Sequence, residues 1–277
     1  MRRKNTPMAP KIWFITGASR GFGRVWAQAA LRRGDKVAAT ARHTESLAAL
    51  VDTFGDAVLP IPLDVTDRAA VFDAVARTHQ HFGRLDVVVN NAGYGLFGAI
   101  EETSEQQARA QIETNLFGAL WVTQAALPYL RAQGGGHVLQ VSSIGGVLAF
   151  PNMGLYHASK WGLEAFSEAL SQEVAQFGIK VTLIEPGGYA TDWAGSSAAH
   201  TRPLPAYDAT RAAAAQFLGS YPLGAPEATG AAILAIVDAE EPPLRVLLGG
   251  PPLQMARDAH TRRLATWEQW ERVSKAA

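Results

Sequence analysis

Short runs rich in β-branched and apolar side chains recur at Lys11 to Ile15, Val37 to Thr40, Val58 to Leu63, Leu85 to Val89, His137 to Val141, Lys180 to Ile184 and Arg245 to Leu248. Longer stretches with helix-like spacing of apolar positions separate them, among them Val25 to Leu31 and Gln106 to Leu130. Strand-like runs joined by helical crossovers predict parallel strands covered on both faces. The expected fold is α/β: a doubly wound parallel seven-stranded sheet with helices on both faces, in a single domain. No repeat or linker interrupts the alternation.

The first run leads directly into Thr16-Gly17-Ala-Ser-Arg-Gly21-Phe-Gly23 and then into the helical stretch that begins at Val25. Strand, glycine turn and helix in that order suit a bound pyrophosphate. Glycine lets the backbone come close at positive φ, and the free amides of the helix start point at the anion. The spacing departs from the commoner Gly-x-Gly-x-x-Gly, and a glycine cluster alone is weak, because tight turns use glycine for shape.

A second signature lies downstream. Tyr156 and Lys160 in Tyr-His-Ala-Ser-Lys are four apart, so a helix places both on one face. A nearby cation favours the phenolate and draws the Tyr156 pKa down from about 10, which makes it a usable general acid or base. Ser143, in Val-Ser-Ser-Ile-Gly-Gly, supplies a hydroxyl to polarise a carbonyl, with Ser142 as its rival.

With Asp64-Val65, Asn90-Asn91-Ala92-Gly93, Asn115, Pro186-Gly187 and Thr191 added in order, the chain resembles the short-chain dehydrogenase/reductase family in its single-domain form, with a Rossmann-type fold, over nearly its whole length. The resemblance implies catalysis by Asn115, Ser143, Tyr156 and Lys160. It implies coenzyme contacts from Gly17, Ser19, Arg20, Gly21, Phe22, Gly23, Arg42, Asp64, Val65, Asn91, Ala92, Gly93, Tyr156, Lys160, Pro186, Gly187 and Thr191. Asp64 would meet the adenine amino group, with capping of the next helix as its alternative. Asn115 would distort its helix to seat a water for proton relay, a role compatible with an Asn that bonds neighbouring backbone. NAD-binding members carry an Asp after the second strand; here Thr40-Ala41-Arg42 stands there, with Arg20 in the glycine turn. Two guanidiniums suit a 2′-phosphate, so NADP(H) is expected over NAD(H).

Residues 188–215 resemble a substrate lid, with Tyr94, Ser143, Phe150, Met153, Tyr189 and Trp193 as candidate substrate contacts. Phe150 and Met153 equally suit packing of the lid or a subunit interface. The bulk of these groups favours a hydrophobic ketone or aldehyde over a charged substrate, while sugars, steroids or retinoids and β-ketoacyl thioesters stay open. The expected reaction is NADP(H)-dependent interconversion of carbonyl and alcohol. A nicotinamide-binding sensor without turnover is the alternative from another class, although it needs no proton donor. An epimerase or dehydratase of the extended branch would need a larger C-terminal domain.

Composition narrows the partners. The 277 residues carry 25 basic and 25 acidic side chains, giving no formal net charge and no reason to expect nucleic acid or an anionic membrane. There is no cysteine, hence no disulfide or thiolate site. His79 and His81 lack metal-ligand company, so no metal is expected. Residues 1–10 read as a flexible basic tail without a secretory apolar region, 11–250 as the coenzyme-binding domain, and 251–277 as a helical extension. A cytoplasmic protein is expected. Leu264, Trp267, Trp270 and Val273 recur at helical spacing in the extension, which could cover or replace the contacts of a dimer or tetramer.

Overall fold

The computed structural model describes residues 9–276. The expected tail at residues 1–10 lies almost wholly outside them. Seven strands, β1 (Ile12–Ile15), β2 (Lys36–Ala41), β3 (Val58–Pro62), β4 (Val87–Asn90), β6 (Gly136–Val141), β7 (Ile179–Pro186) and β9 (Arg245–Leu248), form one parallel sheet in the order β3-β2-β1-β4-β6-β7-β9. The predicted seven-stranded doubly wound sheet is present. The order reverses between β1 and β4, and a crevice at the carboxyl ends of such strands is where ligands bind.

Burial explains the apolar runs. Trp13 and Ile15 face one layer, with Trp26 of helix α1 (Gly21–Arg33) and Ile233 of helix α8 (Thr229–Asp238). Phe14 and Val88 face the other, with Val71 and Val75 of α3 (Arg68–Phe82), Val122 of α5 (Gly118–Ala132) and Leu170 of α6 (Gly154–Val174). The two prolines of β3, Pro60 and Pro62, are tolerated because this edge strand pairs with β2 alone.

The long helical stretch from Gln106 is interrupted. Helix α4 (Glu105–Ile112) passes through a π-helical turn, Glu113–Phe117, into α5. Asn115 lies in that turn and bonds the backbone of Tyr94 in both directions: its Oδ1 accepts from Tyr94 N and its Nδ2 donates to Tyr94 O, each at 3.0 Å. Such bulges accommodate an inserted polar contact at a functional position.

A second sheet of two short parallel strands, β5 (Leu96–Phe97) with β8 (Ala199–His200), lies outside the main one, its two-residue strands too short to show a pattern in the sequence. It joins the loop after β4 to the lid. Helix α2 (Ala48–Phe54), the lid helix α7 (Asp208–Gly219), α9 (Pro251–Gln269) and α10 (Glu271–Ser274) complete the fold. Leu264, Trp267, Trp270 and Val273 remain exposed, so within one chain the extension does not bury them.

One buried histidine gives the fold an acid-sensitive point. Thr182 Oγ1 donates to the Pro243 carbonyl at 2.8 Å, so His137 Nε2 must carry the hydrogen for its 2.9 Å contact with that hydroxyl, and Nδ1 is left buried without a partner. Burial, then the charges of Lys180 and Lys11, push the His137 pKa down to about 3. The unfolded chain takes up this proton near pH 6.5 and the folded chain does not, so stability falls as pH drops from there toward 3, by up to roughly 1.4 kcal/mol per pH unit. Denaturant titrations between pH 7 and pH 4 should lose about one proton of this slope in His137→Gln. Equal slopes in both proteins would assign the acid sensitivity elsewhere.

Candidate active site

The glycine turn is built to leave backbone exposed. Gly17 and Gly21 have φ of +64° and +53°. A Cβ on Gly23 would lie 2.4 Å from the Gly17 carbonyl oxygen, so only glycine fits the approach of turn to helix. Helix α1 begins after Arg20 with no side-chain cap and no acidic residue in its first turn, leaving its amides free for an anion. These features fit a dinucleotide pyrophosphate.

Asn91 holds this turn from β4, its Nδ2 donating to Thr16 O at 2.9 Å and Gly17 O at 3.0 Å. The Thr16 hydroxyl accepts from the amides of Asn91 and Ala92. Gly93 follows, and a Cβ there would lie 3.0 Å from Asn115 Oδ1 and 3.7 Å from Lys160 Nζ, so the chain passes close to the catalytic candidates. Val65 packs in the core against Gly118. Asp64 accepts from Thr66 N and Oγ1, whereas the cap of α3 is Asp67. Pro186 ends β7, and Gly187 is tight against Pro252 of α9, so the extension buttresses that wall.

Helix α6 delivers Tyr156 and Lys160 to the carboxyl end of β6, both almost fully buried. Lys160 Nζ donates to the Val141 carbonyl at 2.7 Å and stands 5.9 Å from the Tyr156 ring centroid. Burial drives both groups toward their neutral forms. Tyr156 is pushed up to about 12 by desolvation, against a lowering hydrogen bond with Ser143; Lys160 is pushed down to about 8 by desolvation, with Glu164 pulling it back up. The lowering of the Tyr156 pKa that the helix spacing suggested is therefore outweighed by desolvation in the chain alone.

The two serines separate cleanly. Ser143 lies close enough to the Tyr156 hydroxyl to lower its pKa and accepts from Gly145 N at 3.0 Å, while Ser142 is buried on the other side, beside Gly146 and Glu164. Asn115 Nδ2 also donates to Ser159 Oγ at 3.1 Å, which ties the π turn to α6.

The lid places Trp193 against Tyr156, ring centroids 4.9 Å apart, and against Phe97 at 5.4 Å. Phe150 meets Phe217 of α7 at 5.6 Å, and Met153 is buried at the start of α6. Tyr189 instead packs on Phe22 of the coenzyme turn at 5.1 Å, so the structure does not bring it to Tyr156. Thr191 approaches Gly21, within 3.8 Å of where its Cβ would be. Arg42 follows β2 at the surface and has no ion-pair partner among the described residues. Arg20 does have one: its guanidinium reaches Asp192 of the lid at 2.6 Å rather than turning toward Arg42.

Several contributors gave no motif. His157 Nδ1 contacts the Gly145 carbonyl at 2.9 Å and its Nε2 accepts from Phe150 N at 3.0 Å, pinning the loop from Ser143 to Phe150 onto α6. Glu102 accepts from Leu204 N, Thr201 Oγ1 and Arg211, anchoring the lid. Both link segments far apart in sequence or in a loop, where no periodicity marks them.

The comparisons agree with this geometry. Residues 11–202 match the family model of short chain dehydrogenases. Oxidoreductase BOA17 of Botryotinia fuckeliana is 45% identical over 271 residues, covering 96% of this chain and 99% of that one. A 3-ketodihydrosphingosine reductase of Bacteroides thetaiotaomicron is 41% identical over 184 residues, 66% of each chain. The crystal structure of a short-chain dehydrogenase from Streptomyces avermitilis superimposes with a TM-score of 0.92 at 40% identity, covering 97% of this chain and 98% of that one. Solved neighbours 24–27% identical, with TM-scores of 0.73–0.81, hold NAD in one case and NADP or 5-hydroxy-NADP in two others. The chain belongs to the short-chain dehydrogenase/reductase family, and is an oxidoreductase that uses a nicotinamide coenzyme. No helix among the described residues is long and apolar enough to cross a membrane.

The placement of the serines makes a sharp prediction. Ser143→Ala should lower kcat by about 10²–10³-fold, the usual cost of one lost donor at a reacting oxygen, whereas Ser142→Ala should stay within a few-fold of the parent. Steady-state rates of the two variants decide it, and the reverse ranking would give the role to Ser142.

Proposed function

We propose that the protein is a cytoplasmic NADP(H)-dependent reductase that interconverts a hydrophobic ketone or aldehyde with its alcohol. The observation that carries this reading is the burial of Tyr156 beside Ser143, with the Trp193 ring of the lid 4.9 Å from its own and Phe97 packed on Trp193 in turn, none of them charged. The relative from Bacteroides thetaiotaomicron is named a 3-ketodihydrosphingosine reductase, which supports reduction of a ketone.

The bound coenzyme supplies the hydride in reduction and takes it up in oxidation. The chain handles the proton. Tyr156, a phenol held protonated by burial, gives its hydrogen to the carbonyl oxygen as negative charge develops there, and Ser143 steadies the same oxygen with a hydrogen bond. Lys160, an ammonium at neutral pH, stabilises the phenolate left behind and offers its remaining donors to the nicotinamide ribose. Asn115 holds Tyr94 and Ser159 in place around this centre.

The coenzyme preference rests on Arg42, which has no ion pair among the described residues, and on a β2 end that carries no carboxylate to repel a 2′-phosphate. Arg20 would exchange Asp192 for the same phosphate.

Three measurements test the reading. Tyr156→Phe should lose nearly all turnover while NADPH fluorescence titration shows binding intact; turnover within a few-fold of the parent would remove Tyr156 as proton donor. Arg42→Ala, and more so Arg42→Ala with Arg20→Ala, should weaken NADPH by about ten- to a hundredfold and NADH far less, since each charge-assisted bond contributes ~1.5–3 kcal/mol. Equal losses would contradict the assignment. Across aryl, alicyclic and long-chain ketones, aldehydes, sugars and β-ketoacyl thioesters, hydrophobic ketones or aldehydes should react fastest with NADPH, and a preference for thioesters or sugars would defeat the apolar-pocket argument.

A further inference from the structure

Behind Lys160, on the side away from Tyr156, lies a cluster of charge that the reaction as described does not use. Glu164 is one helical turn beyond Lys160 on α6, and its side chain is only 9% exposed. Glu185, near the end of β7, is 3% exposed at the side chain. Arg245 on β9 reaches both, with Nε 2.9 Å from Glu164 Oε2 and 3.6 Å from Glu185 Oε1, and it also bonds Glu168 at 2.6 Å on the solvent side. Lys160 and Glu168 on α6, Glu185 on β7 and Arg245 on β9 are the charged or titratable groups facing Glu164. Ser142 at the end of β6 and Ser167 on α6 add neutral hydroxyls.

Two carboxyl oxygens of this cluster accept no hydrogen bond: Glu164 Oε1 and Glu185 Oε1 are both buried without a donor, and the Ser142 and Ser167 hydroxyls, unpartnered as well, bond neither. Two carboxylates that meet in a buried place cannot both ionise cheaply, and one proton between them turns repulsion into an acid-to-carboxylate hydrogen bond. Charge counting gives the same answer. Lys160 and Arg245 are balanced by Glu164 and Glu168, and a further ionised Glu185 would leave the cluster with an uncompensated negative charge. Both carboxylates meet the one Arg245 Nε, at 2.9 and 3.6 Å, and burial with the Glu164 charge pushes Glu185 up to about 8, against Arg245.

We propose that Glu164 and Glu185 share a single proton and together hold Lys160 in its ammonium form from behind, so that both are positioning residues for Lys160. At neutral pH Glu185 donates to Glu164, and the single negative charge of the pair supports Lys160. As the medium becomes alkaline, the proton passes from Glu185 to solvent past the half-exposed Arg245. The pair then carries two negative charges beside Lys160, and its ammonium is retained at a pH where burial alone would strip it. The device protects the charge of Lys160 in the range where alcohol oxidation, which releases a proton, is favoured.

The catalytic consequence rests on the reading of Lys160 given above, whereas the charge of Lys160 can be read without it. In protein labelled with ε-¹³C-lysine, the Lys160 resonance, assigned by its loss in Lys160→Arg, reports that charge directly. Glu185→Gln keeps a donor toward Glu164 but cannot ionise, and should lower the midpoint of Lys160 by about one pH unit. Glu164→Gln should lower it further, and Glu164→Asp should restore part of the loss. The alkaline limb of kcat should move by the same amount, about a tenfold loss of turnover on that limb per unit. A purely structural role would depress kcat at every pH without moving the limb. Overlaid Lys160 titrations for the parent and both Gln variants would overturn the proposal. Should Glu164→Gln fail to fold, the near-isosteric Glu185→Gln decides alone. A shifted Lys160 with an unshifted pH–rate profile would uphold the carboxyl pair and contradict the catalytic reading of Lys160.

Discussion

The site depends on the burial of Lys160 at the carboxyl end of the parallel sheet. An ammonium removed from water there has one hydrogen-bond partner among the described residues, the Val141 carbonyl, and desolvation, partly offset by Glu164, pushes its pKa down to about 8. The same burial acts on Tyr156 in the opposite sense and holds it as a phenol. Each group is driven toward neutrality by its surroundings. Any charge in the site must therefore come from neighbours, with Glu164 behind and the coenzyme pocket in front. The lid contributes to this burial by laying the Trp193 ring against Tyr156.

The fold was legible because its strands are buried on both faces. Runs such as Ile12 to Ile15 and Val87 to Val89 carry no amphipathic alternation, and a chain of this length has few ways to hide them other than a helix-covered parallel sheet. The site candidates were legible where chemistry is local in sequence. Tyr156 and Lys160 share a helix face, and the glycine turn occupies eight consecutive residues.

What escaped the sequence depends on residues that meet only after folding. Glu164, Glu185 and Arg245 come from a helix and two strands, and nothing in their separate contexts marks them as a cluster. Arg20 and Asp192 are 172 positions apart, so the expectation that Arg20 and Arg42 converge on one 2′-phosphate could not include a lid carboxylate as competitor. Tyr189 looked like a pocket residue because it is aromatic and near Trp193, yet the chain turns between them and Tyr189 packs on Phe22. The lowering of the Tyr156 pKa expected from Lys160 does not appear, since burial and the Ser143 hydroxyl set that value, and spacing reveals a neighbouring charge but not the depth of burial.

The central claim is that burial, before any coenzyme binds, fixes Tyr156 as a protonated donor. Ultraviolet difference titration of the parent protein against Tyr156→Phe, without coenzyme, measures this directly. The account predicts no phenolate from Tyr156 below a pH of about 11, in line with a pKa near 12. A phenolate band attributable to Tyr156 that appears below about pH 9 would contradict it, since the neighbouring charges would then outweigh desolvation.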